Sequence, residues 1–338
     1  MKNCSKDVQN FHDDEVTLTA AQRSEMRERR NANRERLHRG LAKLEKPRPK
    51  RHIIQGSYGM KTMTQHPDRE YDIDDGAAFA AEDLKAANGV AMTAQQAKQM
   101  VADALVAGGG LQTPPEIKKN CVRVNYAAGY HVDIPVYRIR VVAGKEVLEL
   151  ASDDWRESNP TDINDWFASE EGKAPCNEGD EPQLRQQVRM LKVYTRAQTG
   201  DKALSGLILT ILAAEAHRYS LRQDEAFRVM LGNLLARLTS NSEVRNPANT
   251  SEVLTKATDA PKVGALISAI HGTLQAMQKL DRANCRRSEA LKVWKDVFKT
   301  DYFDADIEVA EEEERRQSEE KVAAATAAPR PWCRQTRA

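Results

Sequence analysis

The chain has 338 residues, 30% of them charged, with a formal net charge of +1. That length supplies core enough for one large or two modest domains, and a charge so near zero excludes a globally basic nucleic-acid binder. The five cysteines (Cys4, Cys121, Cys176, Cys285 and Cys333) are odd in number and scattered, with no Cys-x-x-Cys pair, and no histidine pair has metal-ligand spacing. A disulfide framework and a zinc site are therefore set aside in favour of free thiols in a reducing compartment.

The first 40 residues are polar and charged and do not read as a signal peptide. The longest apolar run, Ala203 to Ala214, is too short to span a bilayer. The expectation is a soluble, cytoplasmic protein without membrane contact. Residues 1–18 are polar, with a candidate helix start at Thr17 to Thr19. Ala20 to Leu44 reads as one long helix with a narrow apolar stripe (Met26, Ala32, Leu37, Leu41, Leu44) among seven arginines between Arg23 and Arg39. Nucleic acid could use that basic face, but a solvated helix laced with Glu25, Glu28 and Glu35 partners is the favoured reading.

Residues 51–79 read as strand, Gly-Ser turn and strand. Thr93 begins a helix that Gly108-Gly109-Gly110 stops; no Lys-Ser/Thr follows, so the triple glycine is a breaker and not a phosphate loop. Cys121–Tyr126, Tyr130–Val142 and Glu146–Ala151 read as three strands joined by glycine-bearing hairpin turns. Residues 152–182 connect to an all-helical remainder, in which Leu204–Tyr219 is apolar almost all round and hence buried. After Phe303 the Glu-, Ala- and Pro-rich composition reads as a helix end fraying into a disordered tail.

The chemistry-bearing stretch is Gln55-Gly56-Ser57 followed by Asp72-Ile73-Asp74. In a strand Asp72 and Asp74 share one face, with Cα atoms about 6.5–7 Å apart, while Tyr71 and Ile73 share the other. Two carboxylates so rooted can converge on a pair of cations about 3.5–4 Å apart. Without a cation, like charges 4 Å apart repel by about 4 kcal/mol at an effective dielectric of 20. Asp133 completes the set from the apolar run His131-Val132-Asp133-Ile134. Asp75 falls on the opposite face and reads as a cap for a turn at Gly76. His131 reads as structural.

A Gly-Ser turn, an Asp-x-Asp strand and a later lone Asp resemble the nucleotidyltransferase constellation of the DNA polymerase β superfamily. Gln55-Gly56-Ser57, Tyr71 to Gly76, His131 to Tyr137, Trp155 to Phe167 (with Asp-x-x-Asp-Trp-Phe at 162–167) and Met190 to Tyr194 closely resemble the bacterial cGAS/DncV-like nucleotidyltransferases (CD-NTases) over about residues 10–305.

The resemblance implies an α+β fold: a polymerase-β-like nucleotidyltransferase lobe (1–180), an OAS-like helical lobe (181–305) across a central cleft, and a flexible tail (306–338). It implies synthesis of cyclic di- or trinucleotides from ATP and/or GTP, with a cyclic GMP-AMP isomer as the expected product, in antiphage signalling. Two Mg²⁺ ions would be held by Asp72, Asp74 and Asp133, with Asp133 also placed to take the acceptor hydroxyl's proton. Gln55, Gly56, Ser57, Lys192 and Ser205 would bind nucleotide. Gly206 puts no aromatic where some relatives stack one on a base. A small C-terminal residue, Ala338, suits conjugation by a ubiquitin-like transferase. The rival readings are a linear nucleotidyltransferase (2′-5′ oligoadenylate or RNA-end addition) and a catalytically silent RNA-binding scaffold.

Overall fold

A computed structural model describes residues 1–66, 71–126, 129–177 and 180–327. Ala338 and the end of the tail lie outside the described residues. The elements in chain order are α1 (Ser5–Phe11), α2 (Ala20–Lys43), β1 (Arg51–Gln55), the single turn α3 (Gly56–Gly59), β2 (Asp72–Ala80), α4 (Ala94–Gly108), β3 (Glu116–Ile117), β4 (Val122–Asn125), β5 (His131–Ile134), β6 (Val136–Val142), β7 (Lys145–Ala151), β8 (Trp155–Glu157), α5 (Pro160–Glu171), α6 (Gln183–Thr199), α7 (Gly206–Ala216), α8 (Gln223–Ser240), β9 (Arg245–Asn246), β10 (Asn249–Val253), α9 (Ala260–Met277), α10 (Arg287–Phe298) and α11 (Asp304–Ala327). The expected α+β architecture is present, with a mixed sheet in the first half and helices in the second.

The sheet is built around β2. On one edge β2 pairs antiparallel with β1. Along its other edge it pairs in parallel first with β5 and then with β6, in one continuous register from Asp72↔His131 to Ala80↔Ile139. β5 and β6 thus form one strand interrupted at Pro135. Proline cannot donate to a ladder, and it stands where the strand's outer partner changes from β4 to β7. Its carbonyl still accepts the Ala77 N–H at 2.8 Å.

One face of the sheet is apolar: Ile73, Ala77, Phe79, Val122, Val124, Val132, Ile134 and Val136 pack under α2 and α4. Each of these helices starts with a reciprocal capping box, Thr19 with Gln22 and Thr93 with Gln96. They cross so closely that a Cβ on Gly40 would lie 1.6 Å from the Ala104 carbonyl oxygen. Two arginines of α2 reach across to α4: Arg36 and Arg39 donate to the carbonyls of Gly108, Gly109 and Gly110, closing its C-terminal end, while Arg29 pairs with Glu25 along the helix as expected.

A second core fills the helical half, and it reaches further than the sequence suggested at both ends. Cys4, Val8 and Phe11, at and in α1, lie in it, with the Phe11 ring packed tilted or edge-on against Phe298, Tyr302 and Phe303. The chain's start is therefore helical and packs against the helical lobe, not with the sheet. At the other end α11 runs to Ala327 where a frayed tail was expected. Phe303, Ile307 and Ala310 are buried against the same core, and Glu314 caps α10 through the Ser288 N–H and hydroxyl. The remainder expected to be all-helical is interrupted by a short β9–β10 hairpin. No turn occurs at Gly76, because β2 continues through it to Ala80. No helix among the described residues is long and apolar enough to cross a membrane. The four cysteines among the described residues are free thiols.

Candidate active site

The sheet register brings the acids together. Asp72 and Asp74 stand on the face of β2 opposite the α2/α4 layer, beside His131 and Asp133 of β5 as direct cross-strand neighbours. One strand further out, Arg123 of β4 pairs with Asp133. The face is thus a grid of alternate positions, each pointing to the same side. Arg123 holds Asp133 in a two-pronged fork, Nε to Oδ1 and Nη2 to Oδ2, both 2.7 Å. His131 Nε2 lies 3.3 Å from Asp72 Oδ1. The contact is long for a hydrogen bond to a charged group, and this buried oxygen has no well-formed hydrogen bond among the described residues.

Asp74 is the most perturbed of the acids. Burial, then the charges of Asp72 and Asp133, raise its pKa from 3.8 to about 7. Asp72's carboxylate raises the pKa of His131 above its ordinary value.

The Gly-Ser turn abuts this cluster. Gly56 has φ +63°, and a Cβ there would lie 2.2 Å from Asp74 Oδ2, so both backbone shape and the close approach of the acid demand glycine. Gln55 is turned aside: its side-chain oxygen accepts the Tyr137 hydroxyl at 2.9 Å. Ser57 begins the turn, and its carbonyl accepts the Thr62 N–H at 2.9 Å. The segment after the turn is held from the helical lobe by a stripe on α6. Arg189 donates to Lys61 O (3.1 Å), Lys192 to Thr62 O and Oγ1 (both 3.0 Å), and Arg196 to Gln65 O (2.9 Å). Burial and nearby Arg189 depress the Lys192 ammonium pKa to about 7. Ser205 stands next to it as the N-cap of α7, its Oγ accepting the Ile208 N–H at 3.4 Å. A Cβ on Gly206 would lie 3.6 Å from Lys192 Nζ. The structure therefore gathers the predicted residues in two clusters. Asp72, Asp74 and Asp133 form one with the Gly56–Ser57 turn; Lys192 and Ser205 form the other, against the segment that follows the turn.

Residues 50–137 match the model of the DncV-like cyclic GMP-AMP synthase nucleotidyltransferase domain. A "Cyclic GMP-AMP synthase" of Escherichia albertii is 25% identical over 216 residues, 61% of this chain and 46% of the relative. A "c-di-GMP synthase" of Roseivirga ehrenbergii is 24% identical over 225 residues, 58% of this chain and 60% of the relative. The chain therefore spans about half the length of these curated relatives. The fold matches the Vibrio cholerae DncV cyclic AMP-GMP synthase, solved in complex with the linear intermediate 5′ pppA(3′,5′)pG. That match has a TM-score of 0.67 at 17% identity and covers 91% of this chain and 99% of that one. Residues 50–137 thus resemble a DncV-like nucleotidyltransferase domain, and the chain as a whole shares the fold of these solved synthases.

The cluster suits divalent cations. A buried acid forced towards neutrality by two neighbouring carboxylates, and a buried carboxylate oxygen without a hydrogen bond, are both relieved by a hard cation with oxygen ligands. The Arg123 fork occupies one lone pair on each oxygen of Asp133. That suits a fixed ligand and disfavours the proton-acceptor role expected for it. Arg123 escaped the sequence reading, as did the placement of His131, whose ring nitrogen lies with the oxygens of Asp72 and Asp133 in a group spanning no more than 4.8 Å. Asp75, expected to cap a turn, is instead a buried anion taken by both arms of Arg34 from α2. The Asp162–Phe167 motif also gains a physical meaning. On α5, Asn164 donates to the Ile54 carbonyl just before the Gly-Ser turn (3.0 Å), while Phe167 is buried in the helical lobe's core.

Proposed function

We propose that the chain is a cyclic dinucleotide synthase that joins ATP and/or GTP, with a cyclic GMP-AMP isomer as product, as a second messenger in antiphage signalling. The observation that carries this reading is the placement of Asp72, Asp74 and Asp133 on neighbouring parallel strands, with the Gly56 turn pressed against Asp74. Each of two successive steps forms a bond from a ribose hydroxyl to the α-phosphorus of a triphosphate, breaks the bond to pyrophosphate, and releases one pyrophosphate and one proton. The linear intermediate bound by the Vibrio cholerae protein supports this order of events. The antiphage role rests on the family alone.

Two bound Mg²⁺ ions would stabilise the charge on the transferring phosphoryl group and lower the pKa of the attacking hydroxyl. The chain's own residues divide the remaining work. Asp72, Asp74 and Asp133 would hold the cations, and Arg123 keeps Asp133 in one orientation. The Gly56–Ser57 turn offers backbone N–H groups and a hydroxyl to the triphosphate. Lys192 lies against the segment following that turn and would add a positive charge. An anion beside it would raise its depressed pKa and keep it protonated. Ser205 and Gln55 are already engaged, as an N-cap and as a partner of Tyr137, and serve the site mainly by shape.

Pyrophosphate release tests the reading. With Mg²⁺, ATP and GTP, the wild type releases pyrophosphate, and Asp133→Asn lowers the turnover by about 100-fold or more. Equal release by the two proteins would remove Asp133 from the site.

A further inference from the structure

The parallel register of β2 and β5 makes a four-cornered arrangement, and only three of its corners are the expected carboxylates. Asp72 faces His131 across the strands, as Asp74 faces Asp133. His131 therefore occupies the position relative to Asp72 that a metal-binding acid occupies relative to Asp74. Its Nε2 lies 3.3 Å from Asp72 Oδ1, and the donor atoms of Asp72, His131 and Asp133 all fall within 4.8 Å of one another. Donors bound to one cation at about 2.0–2.2 Å must stand this close. At 3.3 Å the Asp72–His131 contact is an ion-pair approach, and Asp72 Oδ1 is buried without a well-formed hydrogen bond. Asn125, the neighbour of His131 on β4, donates its side-chain amide to Glu116 at 2.5 Å.

We infer that His131 is a direct ligand of the divalent cation, through Nε2, and that it moves the site's preference from magnesium towards manganese and similar ions. This inference rests on the reading of the carboxylates as a cation site. The chemistry follows from donor type. An imidazole nitrogen adds a lone pair without adding negative charge to a face that already carries three carboxylates. Magnesium favours an all-oxygen shell, whereas manganese, cobalt and zinc bind imidazole well. Were His131 instead to contact a base or a ribose hydroxyl, it would touch nucleotide and leave the cation's shell all oxygen.

The test uses the full chain with Mn²⁺ alone, without nucleotide. Pulsed electron paramagnetic resonance of bound Mn²⁺ detects coupling to ¹⁴N when an imidazole is in the coordination shell. The wild type shows that coupling. His131→Gln still binds Mn²⁺ but loses the coupling, and its affinity for Mn²⁺ relative to Mg²⁺ falls about tenfold or more. Bound Mn²⁺ in the wild type with no nitrogen coupling would overturn the ligand role of His131 and leave the carboxylate site standing. Failure of the wild type to bind Mn²⁺, or binding unchanged in Asp72→Asn, would overturn the carboxylate reading and this inference with it. The wild-type spectrum decides the matter even if a substituted protein folds poorly.

Discussion

Asp74 shows why a single residue on this face is costly without a ligand. Burial and two like-charged neighbours lift its pKa from 3.8 to about 7. A carboxyl group whose pKa is higher folded than unfolded binds more protons in the folded state across that interval. Its contribution to stability is complete below pH 3.8 and is lost as pH rises to about 7. The protein in a chelator should therefore lose thermal stability between these two values, and Asp74→Asn should flatten that part of the profile. Added Mg²⁺ should raise the wild-type unfolding temperature more above pH 7 than below pH 5, because the cation favours the ionised form. Denaturation scans across pH with and without Mg²⁺ check this; an identical slope in Asp74→Asn would assign the dependence to another group. The three acids were legible because strand alternation is a local rule: Asp-Ile-Asp fixes a shared face whatever the neighbours are. Arg123 and His131 were not. Which residue of β4 faces Asp133 is decided by strand pairing, and an arginine in a strand carries no mark of its partner.

At the scale of elements, α2 and α6 grip the site from two sides. Asp75 is 3% exposed, on the face of β2 opposite Asp72 and Asp74, and Arg34 of α2 forks onto it. Removing one partner of a buried pair strands the other charge, at a cost of about 3–5 kcal/mol. Arg34→Ala should destabilise the protein by about that amount in urea unfolding, and Asp75→Asn in the same background should recover much of it. A loss under about 1 kcal/mol, the range of exposed pairs, would show that solvent already reaches Asp75. The long helix itself was legible from its apolar stripe and its lack of breakers, and Arg29 pairs with Glu25 as a solvated helix would have it, but the acceptors of Arg36 and Arg39, the carbonyls of Gly108 to Gly110, lie some seventy residues away in sequence. α1 carried a local signal in the spacing of Cys4, Val8 and Phe11, hidden by polar surroundings. α11 was missed because a Glu- and Ala-rich segment suits a helix as well as a disordered tail, and only Phe303, Ile307 and Ala310 at helical spacing tip the choice.

The whole molecule places the acid cluster on a sheet with its own core and the basic stripe Arg189, Lys192 and Arg196 on a helix of the second core. The two meet at the segment just after the Gly-Ser turn, so a triphosphate bound there would touch both halves. Two transfers at one site, with the linear product turned round between them, define a cyclase. The most direct measurement is product analysis: purified protein with Mg²⁺ and labelled ATP and GTP, singly and together, followed by phosphatase and chromatography, beside the Asp72→Ala/Asp74→Ala variant. A cyclase gives a phosphatase-resistant product in the wild type that is absent from the variant. A phosphatase-sensitive ladder, or the same product from the variant, would contradict cyclisation at these acids.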